Sequence, residues 1–337
     1  MRSELDDLLE PAAADIARFR GTRLAITGGT GFVGHNLLES IMWANDRLKT
    51  GLQAIVIARS PERFLAGRPD LETRTDIAFF RADVCTCPEL SADVVVHAAT
   101  PASAALNAER PLEMLDNIVD GTKHVLARAA ENGRIPFVFT SSGAVYGKQS
   151  PELAHRLETD EQGPNPLATG SAYAEGKRVA ELQSALYAGA AKLDVKIARL
   201  FAFIGPHLPL DRHFAAGNFV DDALRGRDIH VRGDGSTVRS YLYATEMIVW
   251  LWAIAARGSV GRAYNVGSEE AVSMRGLAEA IAAQAPRPTR VRIAGHAAEG
   301  IPVDRYVPST ERIRTELGVA QRLDLGEAIR RTLDFYG

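Results

Sequence analysis

The stretch SAYAEGK (171–177) carries a phenol at Tyr173 and an ammonium at Lys177, four residues apart. On a helix that spacing puts both side chains on one face. A tyrosine is a poor base at its ordinary pKa near ~10. A neighbouring ammonium stabilises the phenolate and lowers that value, so the pair can move a proton at a hydroxyl or carbonyl oxygen. Upstream, the apolar run PFVFTSS (136–142) ends in two hydroxyls. Ser142 there can donate a hydrogen bond to a substrate oxygen. Ser141 is the adjacent candidate, but side chains alternate along a strand, so the two cannot point the same way. Y-x-x-x-K occurs by chance in many helices. Here it gains force from its place, directly after a strand that ends in serines.

Those residues need elements to hold them. The runs at 23–29, 53–59, 77–83, 93–99, 136–142 and 195–205 are short, apolar almost throughout and rich in β-branched or aromatic residues. They read as buried parallel strands covered on both faces. Helical patterns lie between them, the clearest at Pro111–Asn132 and Ser171–Lys192. Alternating β and α elements predict a doubly wound α/β sheet. Past residue 205 shorter strands mix with helices and form a smaller lobe, while AYNVG (263–267) returns to the main sheet. WLW (250–252) sits in an amphipathic helix and reads as apolar core.

After the first strand, Gly28, Gly31 and Gly34 are spaced G-x-x-G-x-x-G and open a helix from Phe32 to about Ala44. Glycines in that context let backbone approach a pyrophosphate, and the helix N-terminus supplies free N–H groups and a positive dipole end. The loop residues Gly28, Thr30, Gly31, Phe32, Val33 and Gly34 are therefore expected to hold a dinucleotide. The end of the second strand reads the adenosine ribose, where an acidic residue favours NAD. Arg59 and Ser60 stand there instead. A guanidinium pairs with a 2′-phosphate, so the sequence leans to NADP over NAD. Asp83 and Val84 are placed to meet the adenine. Ala98, Ala99 and Thr100 are placed near the pyrophosphate and nicotinamide ribose, whose hydroxyls Lys177 can hold.

Composition narrows the field. The chain has 337 residues, 46% of them hydrophobic, and a formal charge of −3. That charge gives no reason to expect nucleic acid or an anionic membrane as partner. No apolar run approaches the ~20 residues a membrane span needs, and the acidic start lacks an apolar signal core. Cys85 and Cys87 are the only cysteines. A lone C-x-C is a poor zinc site, so no metal is expected, and a reducing cytoplasm is the expected compartment.

Taken together, TGGTGFVG (27–34), DVVVHAA (93–99), NIVDGTKHVL (117–126), TSSGAVYG (140–147), YAEGK (173–177), ARLFAFIGP (198–206), VRGDGSTVRSYLY (231–243), YNVGS (264–268) and PSTERIRTELG (308–318) carry a resemblance. From about Thr22 to the C-terminus the chain resembles the extended short-chain dehydrogenase/reductases, in their nucleotide-sugar epimerase/dehydratase/reductase branch. The resemblance implies an N-terminal arm (1–21) before a Rossmann domain (22–205, with 241–267 returning to it). It also implies a C-terminal lobe (206–240 and 268–337) that binds a nucleoside diphosphate sugar. Carried over by position, Tyr173 is the catalytic acid/base, Lys177 its partner and Ser142 the catalytic serine. Asn117 matches a cofactor-side asparagine, and Arg239 looks like a diphosphate clamp. Arg212 and Asn218 fall near the substrate, beside His213. The two long helices imply a homodimer.

Departures narrow the reaction. The branch's dehydratases carry an Asp-Glu pair where this chain has Gly143 and Ala144, and its decarboxylases keep a Glu at the second position. Ala202 replaces a usual Asn, and Ser240 a usual Asp. The reading is hydride transfer at C4 of a nucleoside diphosphate hexose, as a 4-keto sugar reductase or an epimerase, in a deoxysugar or surface-polysaccharide pathway. Arg59 leans to the NADPH reductase, the branch's usual reaction to the epimerase. The alternatives are a 4,6-dehydratase, for which Glu175 is no obvious acid, and a non-catalytic cofactor-sensing protein on the same fold.

Overall fold

A computed structural model describes residues 2–87, 89–100, 103–210, 214–295 and 302–337. The six apolar runs become β1 (Arg23–Thr27), β2 (Gln53–Ala58), β3 (Ile77–Arg81), β4 (Val94–His97), β5 (Pro136–Ser142) and β6 (Asp194–Leu200). Shorter strands follow: β7 (Phe203–Ile204), β8 (Ile229–Val231), β9 (Val238–Arg239), β10 (Leu242–Tyr243), β11 (Ala263–Val266), β12 (Val272–Ser273), β13 (Val291–Ile293) and β14 (Arg305–Tyr306). The helices are α1 (Arg2–Leu9), α2 (Ala13–Ala17), α3 (Phe32–Leu48), α4 (Pro61–Leu65), α5 (Pro69–Glu72), α6 (Ala104–Glu109) and α7 (Pro111–Ala130). After these come α8 (Ala172–Gly189), α9 (Ala215–Leu224), α10 (Ala244–Arg257), α11 (Met274–Gln284), α12 (Glu311–Leu317) and α13 (Leu325–Tyr336).

The main sheet has seven parallel strands in the order β11-β6-β5-β4-β1-β2-β3. Strand order reverses at β1, which lies between β2 and β4. In a doubly wound sheet that switch point opens a crevice at the strands' C-terminal ends. Side-chain parity explains why the strands are apolar throughout. Leu24, Ile26, Val56, Val94, Val96 and Val138 enter one core with α3, α10 and the N-terminal arm. Their neighbours Ala25, Ile57, Val95, Phe137 and Phe139 enter the opposite core with α7 and α8. Trp250 and Trp252 are buried in the first core, and Trp252 donates its indole hydrogen to Ser40 (2.9 Å).

One element differs from the sequence expectation. The run 195–205 is not one strand: β6 stops at Leu200, and β7 pairs with β10 in a separate small sheet. The break at Phe201 turns its ring toward Tyr306, centroids 4.6 Å apart. Tertiary packing there overrides the continuous strand propensity. Beyond the break, α9, α11, α13, β7 and β8 close a third core around Phe219, Ile281 and Ile329. The arm touches both halves, since Leu9 and Ile16 join the first core and Leu8 the third. Among the described residues, no helix is long and apolar enough to cross a membrane.

Candidate active site

β1 ends at Thr27, and Gly28 turns the chain with φ +72°. A Cβ there would lie 2.7 Å from the Ala98 carbonyl oxygen and from the Ala99 backbone. Gly34 is packed harder still: a Cβ would come within 2.3 Å of the Gly29 Cα. Helix α3 therefore starts hard against the loop. Gly31 is its N-cap and contributes no side-chain cap, so the first-turn N–H groups of Phe32, Val33 and Gly34 are left to an outside acceptor. Gly31 and Thr30 lie at or near the surface beside them. Only glycine fits at 28 and 34, and an uncapped 17-residue helix starts on the loop. That cradle fits a dinucleotide pyrophosphate.

The other expected cofactor residues lie along the same edge of the sheet. Arg59 and Ser60, just past β2, are exposed, and among the described residues the Arg59 guanidinium has no hydrogen bond or ion pair. Asp83 folds back to accept from the Cys85 N–H (2.9 Å). Val84 packs under α7, where a Cβ at Gly121 would meet it at 2.9 Å. Ala98 and Ala99 follow β4 and lean on Gly28, and Thr100 accepts from Lys177. Asn117 spends its amide on its own helix, donating to the Glu113 carbonyl (2.7 Å).

The reactive side chains meet at the end of β5. Ser141 points away and donates to Glu181 (2.5 Å), which Arg199 grips from the other side (2.7 Å). Ser142, of opposite parity, turns toward the first turn of α8, where Tyr173 sits. Lys177, one turn on, is 2% exposed and donates to the Thr100 hydroxyl and the Thr140 carbonyl, both at 2.7 Å. Its ammonium also lies 4.7 Å from the Phe139 ring centre.

The electrostatics correct one expectation. Burial pushes the Tyr173 phenol above its ordinary pKa, with the Ser142 hydrogen bond opposing, and Lys177 does not enter. The same burial pulls the Lys177 ammonium down to about 7, against the attraction of Glu181. Sequence spacing shows that the two share a helix face. It does not show how far packing withdraws each from water, Lys177 fully and Tyr173 in part, which disfavours either charge. His97 nearby is buried and pushed to about 3, so its ring is neutral between Thr27 (2.6 Å) and Thr122 (3.1 Å).

The substrate side is more dispersed. Asn218 lines a cavity of about 960 Å³ between α9, β8 and the Gly233–Gly235 turn, with His230 and Arg232 also on its wall. Arg239 is held by Asp304 (2.6 Å) and is not among the residues on that wall. Arg212 and His213 lie outside the described residues. One group of metal-ligand types gathers elsewhere, at His35, Glu39 and His207. The Arg68 guanidinium already stands among them, 2.7 Å from Glu39 and bonded to His35.

Sequence reasoning missed Tyr306. Its hydroxyl stands 3.5 Å from the Ser142 Oγ, carried in on the two-residue strand β14. No spacing in the sequence links it to Ser142. The ring faces Phe201 on one contact and the Arg239 guanidinium on another (5.7 Å).

Comparison with known proteins places this geometry. The sequence pattern of the NAD dependent epimerase/dehydratase family matches residues 24–267. UDP-glucuronic acid decarboxylase 1 of Arabidopsis thaliana is 33% identical over 264 residues, 77% of this chain and 57% of the plant protein. The chain thus spans little more than half of that relative. dTDP-glucose 4,6-dehydratase of Streptomyces griseus is 27% identical over 327 residues, 94% of each chain. Among solved structures, an epimerase from Methanothermobacter thermautotrophicus superposes with a TM-score of 0.81 at 22% identity, over 97% of this chain and 96% of that one.

Proposed function

The chain belongs to the NAD dependent epimerase/dehydratase family, and within it we propose an oxidoreductase or epimerase acting at C4 of a nucleoside diphosphate hexose. The observation that carries this reading is the gathering of Ser142, Tyr173 and Lys177 at the crevice, with Gly143 and Ala144 following Ser142 and the nearby Glu181 turned to Ser141 and Arg199. Among the described residues, no carboxylate hydrogen-bonds the Ser142, Tyr173 or Tyr306 hydroxyl.

In this reading Tyr173 exchanges a proton with the C4 oxygen, and Ser142 donates a hydrogen bond to the same oxygen. Lys177 holds the nicotinamide ribose hydroxyls in place of its present Thr100 contact. The loop from Gly28 to Gly34 and the first turn of α3 hold the pyrophosphate, and Ala98, Ala99, Asp83 and Val84 line the rest. A bound dinucleotide supplies the hydride acceptor or donor. Arg59, unpaired and exposed, suits a 2′-phosphate and so NADP over NAD. Asn218 and the cavity around it suit the nucleotide, with Arg239 released from Asp304 to meet the diphosphate. The arm, the Rossmann domain and the lobe are assigned as in the sequence reading.

A dehydratase or decarboxylase is the second reading, favoured by the names of the two relatives. Both reactions call for an acid or carboxylate close to the sugar, and Gly143 and Ala144 supply none. A homodimer is supported by the outer faces of α7 and α8, where Leu112, Leu182 and Leu186 are 75%, 60% and 63% exposed. The two free cysteines suit the cytoplasm.

The test is direct. The purified protein is denatured, any released dinucleotide is identified, and fresh protein is assayed with nucleoside diphosphate hexoses and their 4-keto-6-deoxy forms. NAD⁺ or NADP⁺ retained through purification, with interconversion of C4 epimers, identifies an epimerase. Stoichiometric consumption of NADPH with the keto sugar identifies a reductase. A protein that binds neither dinucleotide overturns the reading.

A further inference from the structure

We propose that Asn107 is a positioning residue that sets the first turn of α8, and with it the Tyr173 side chain, a role that rests on the reading of Tyr173 above. The first N–H groups of a helix have no carbonyl within it to meet. Ser171 holds the capping position of α8, yet its backbone is already helical (φ −81°, ψ −3°) and its hydroxyl makes no cap. The 3-10 turn Thr169–Ser171 runs straight into α8, whereas a capping serine needs extended backbone. The cap comes from outside the helix. Asn107, 66 residues before Tyr173 and on α6, accepts from the Tyr173 N–H through its Oδ1 (2.9 Å). Its Nδ2 donates to the Gly170 carbonyl (2.9 Å).

Donor and acceptor accounting fixes the side chain. A backbone N–H can only donate and a carbonyl can only accept, so the two ends of the amide cannot exchange places. The two bonds bracket the helix start, one on the turn before it and one on the residue that carries the phenol. The chain after β4 thus touches α8 at both reactive residues, Thr100 at the Lys177 ammonium (2.7 Å) and Asn107 at the Tyr173 backbone. Ser103 and Ala105 of the same segment line the cavity of about 960 Å³, while Asn107 is not among the residues on its wall. Asn107 therefore acts on where the phenol stands rather than on substrate. Misplacing a reacting group by about 1 Å costs up to a hundredfold in rate.

Two measurements test this. The first needs no substrate: hydrogen exchange of the Tyr173 amide, resolved with overlapping peptides. The acceptor of that N–H is the Asn107 side chain, so its protection should follow residue 107. It is expected to exchange at least about tenfold faster in N107A than in the wild type, with the amides of β5 unchanged. Equal rates in the two proteins mean that the bond does not hold the turn, and the proposal falls. The second is kinetic. N107A is expected to lower kcat about tenfold with KM unchanged. N107D keeps the acceptor for the Tyr173 N–H and loses only the Gly170 donor, so it is expected to recover most of that loss. Wild-type kcat in N107A, or an N107D enzyme as slow as N107A, overturns the role of Asn107 alone. A wild-type protein that is inactive on every nucleoside diphosphate hexose, yet shows the exchange difference, overturns the functional reading and the positioning role with it, and leaves Asn107 as a helix cap.

Discussion

Replacing Lys177 with methionine should abolish turnover yet make the dinucleotide-free protein more stable at neutral pH. The reason is the cost of keeping an ammonium away from water. Lys177 is 2% exposed, and its pKa falls from 10.5 in the open chain to about 7 in the fold. That difference corresponds to roughly 5 kcal/mol of destabilisation at and below pH 7. Against it stand the two hydrogen bonds to Thr100 and Thr140. Losing them, and leaving the Thr140 carbonyl unpaired, costs about 2–4 kcal/mol. A net gain of roughly 1–3 kcal/mol remains for Lys177→Met near pH 7. The pH dependence is the sharper signature. Between pH 7 and 10.5 the unfolded chain binds a proton at Lys177 that the folded chain does not, so wild-type stability from this group rises with pH. It is fully present above 10.5 and lost as pH falls to 7. The advantage of the variant should therefore shrink by about 1.4 kcal/mol per pH unit from 7 upward and reverse between about pH 8 and 9, leaving only the cost of the lost hydrogen bonds above pH 10.5. Urea unfolding of both proteins, stripped of nucleotide, at pH 6 to 10 measures it. A gap that does not change with pH would refute the claim that the fold holds this lysine near neutrality.

Three further outcomes follow from the geometry. Gly28→Ala forces an L-residue to φ +72° and drives a Cβ against Ala98 and Ala99; strain alone costs about 1–2 kcal/mol, so the melting temperature should fall and dinucleotide affinity drop at least about tenfold, and calorimetric binding equal to wild type would remove the loop from the cofactor site. Arg59→Ala should cut affinity for NADP⁺ roughly ten- to a hundredfold with NAD⁺ unchanged, by loss of charge-assisted hydrogen bonds; an equal effect on both cofactors, read by fluorescence titration, rules out a 2′-phosphate role. Leu182→Arg with Leu186→Arg should turn a dimer into a monomer by light scattering, and an unchanged mass would place any self-contact elsewhere.

Some of the site is legible in sequence because its constraints are local. Gly28 and Gly34 are fixed by one turn and one helix start, and Lys177 by helical spacing from Tyr173; strand parity lets only one of Ser141 and Ser142 face them, and the family resemblance picks Ser142. The structure keeps Ser142 on the side of Tyr173 and sends Ser141 to Glu181. What stayed hidden is whatever burial and long-range docking decide. The i, i+4 pair predicts an ammonium that lowers the phenol, while the packed crevice raises the phenol and lowers the ammonium. The run at 195–205 looks like one strand until Phe201 finds Tyr306. Gly143 joins both halves of the lesson. In the sequence it is a missing carboxylate, which argues against elimination chemistry. In the structure it is also the space through which a phenol from β14 reaches Ser142. A substitution at 143 therefore cannot add an acid without also displacing Tyr306, so the two features stand or fall as a unit.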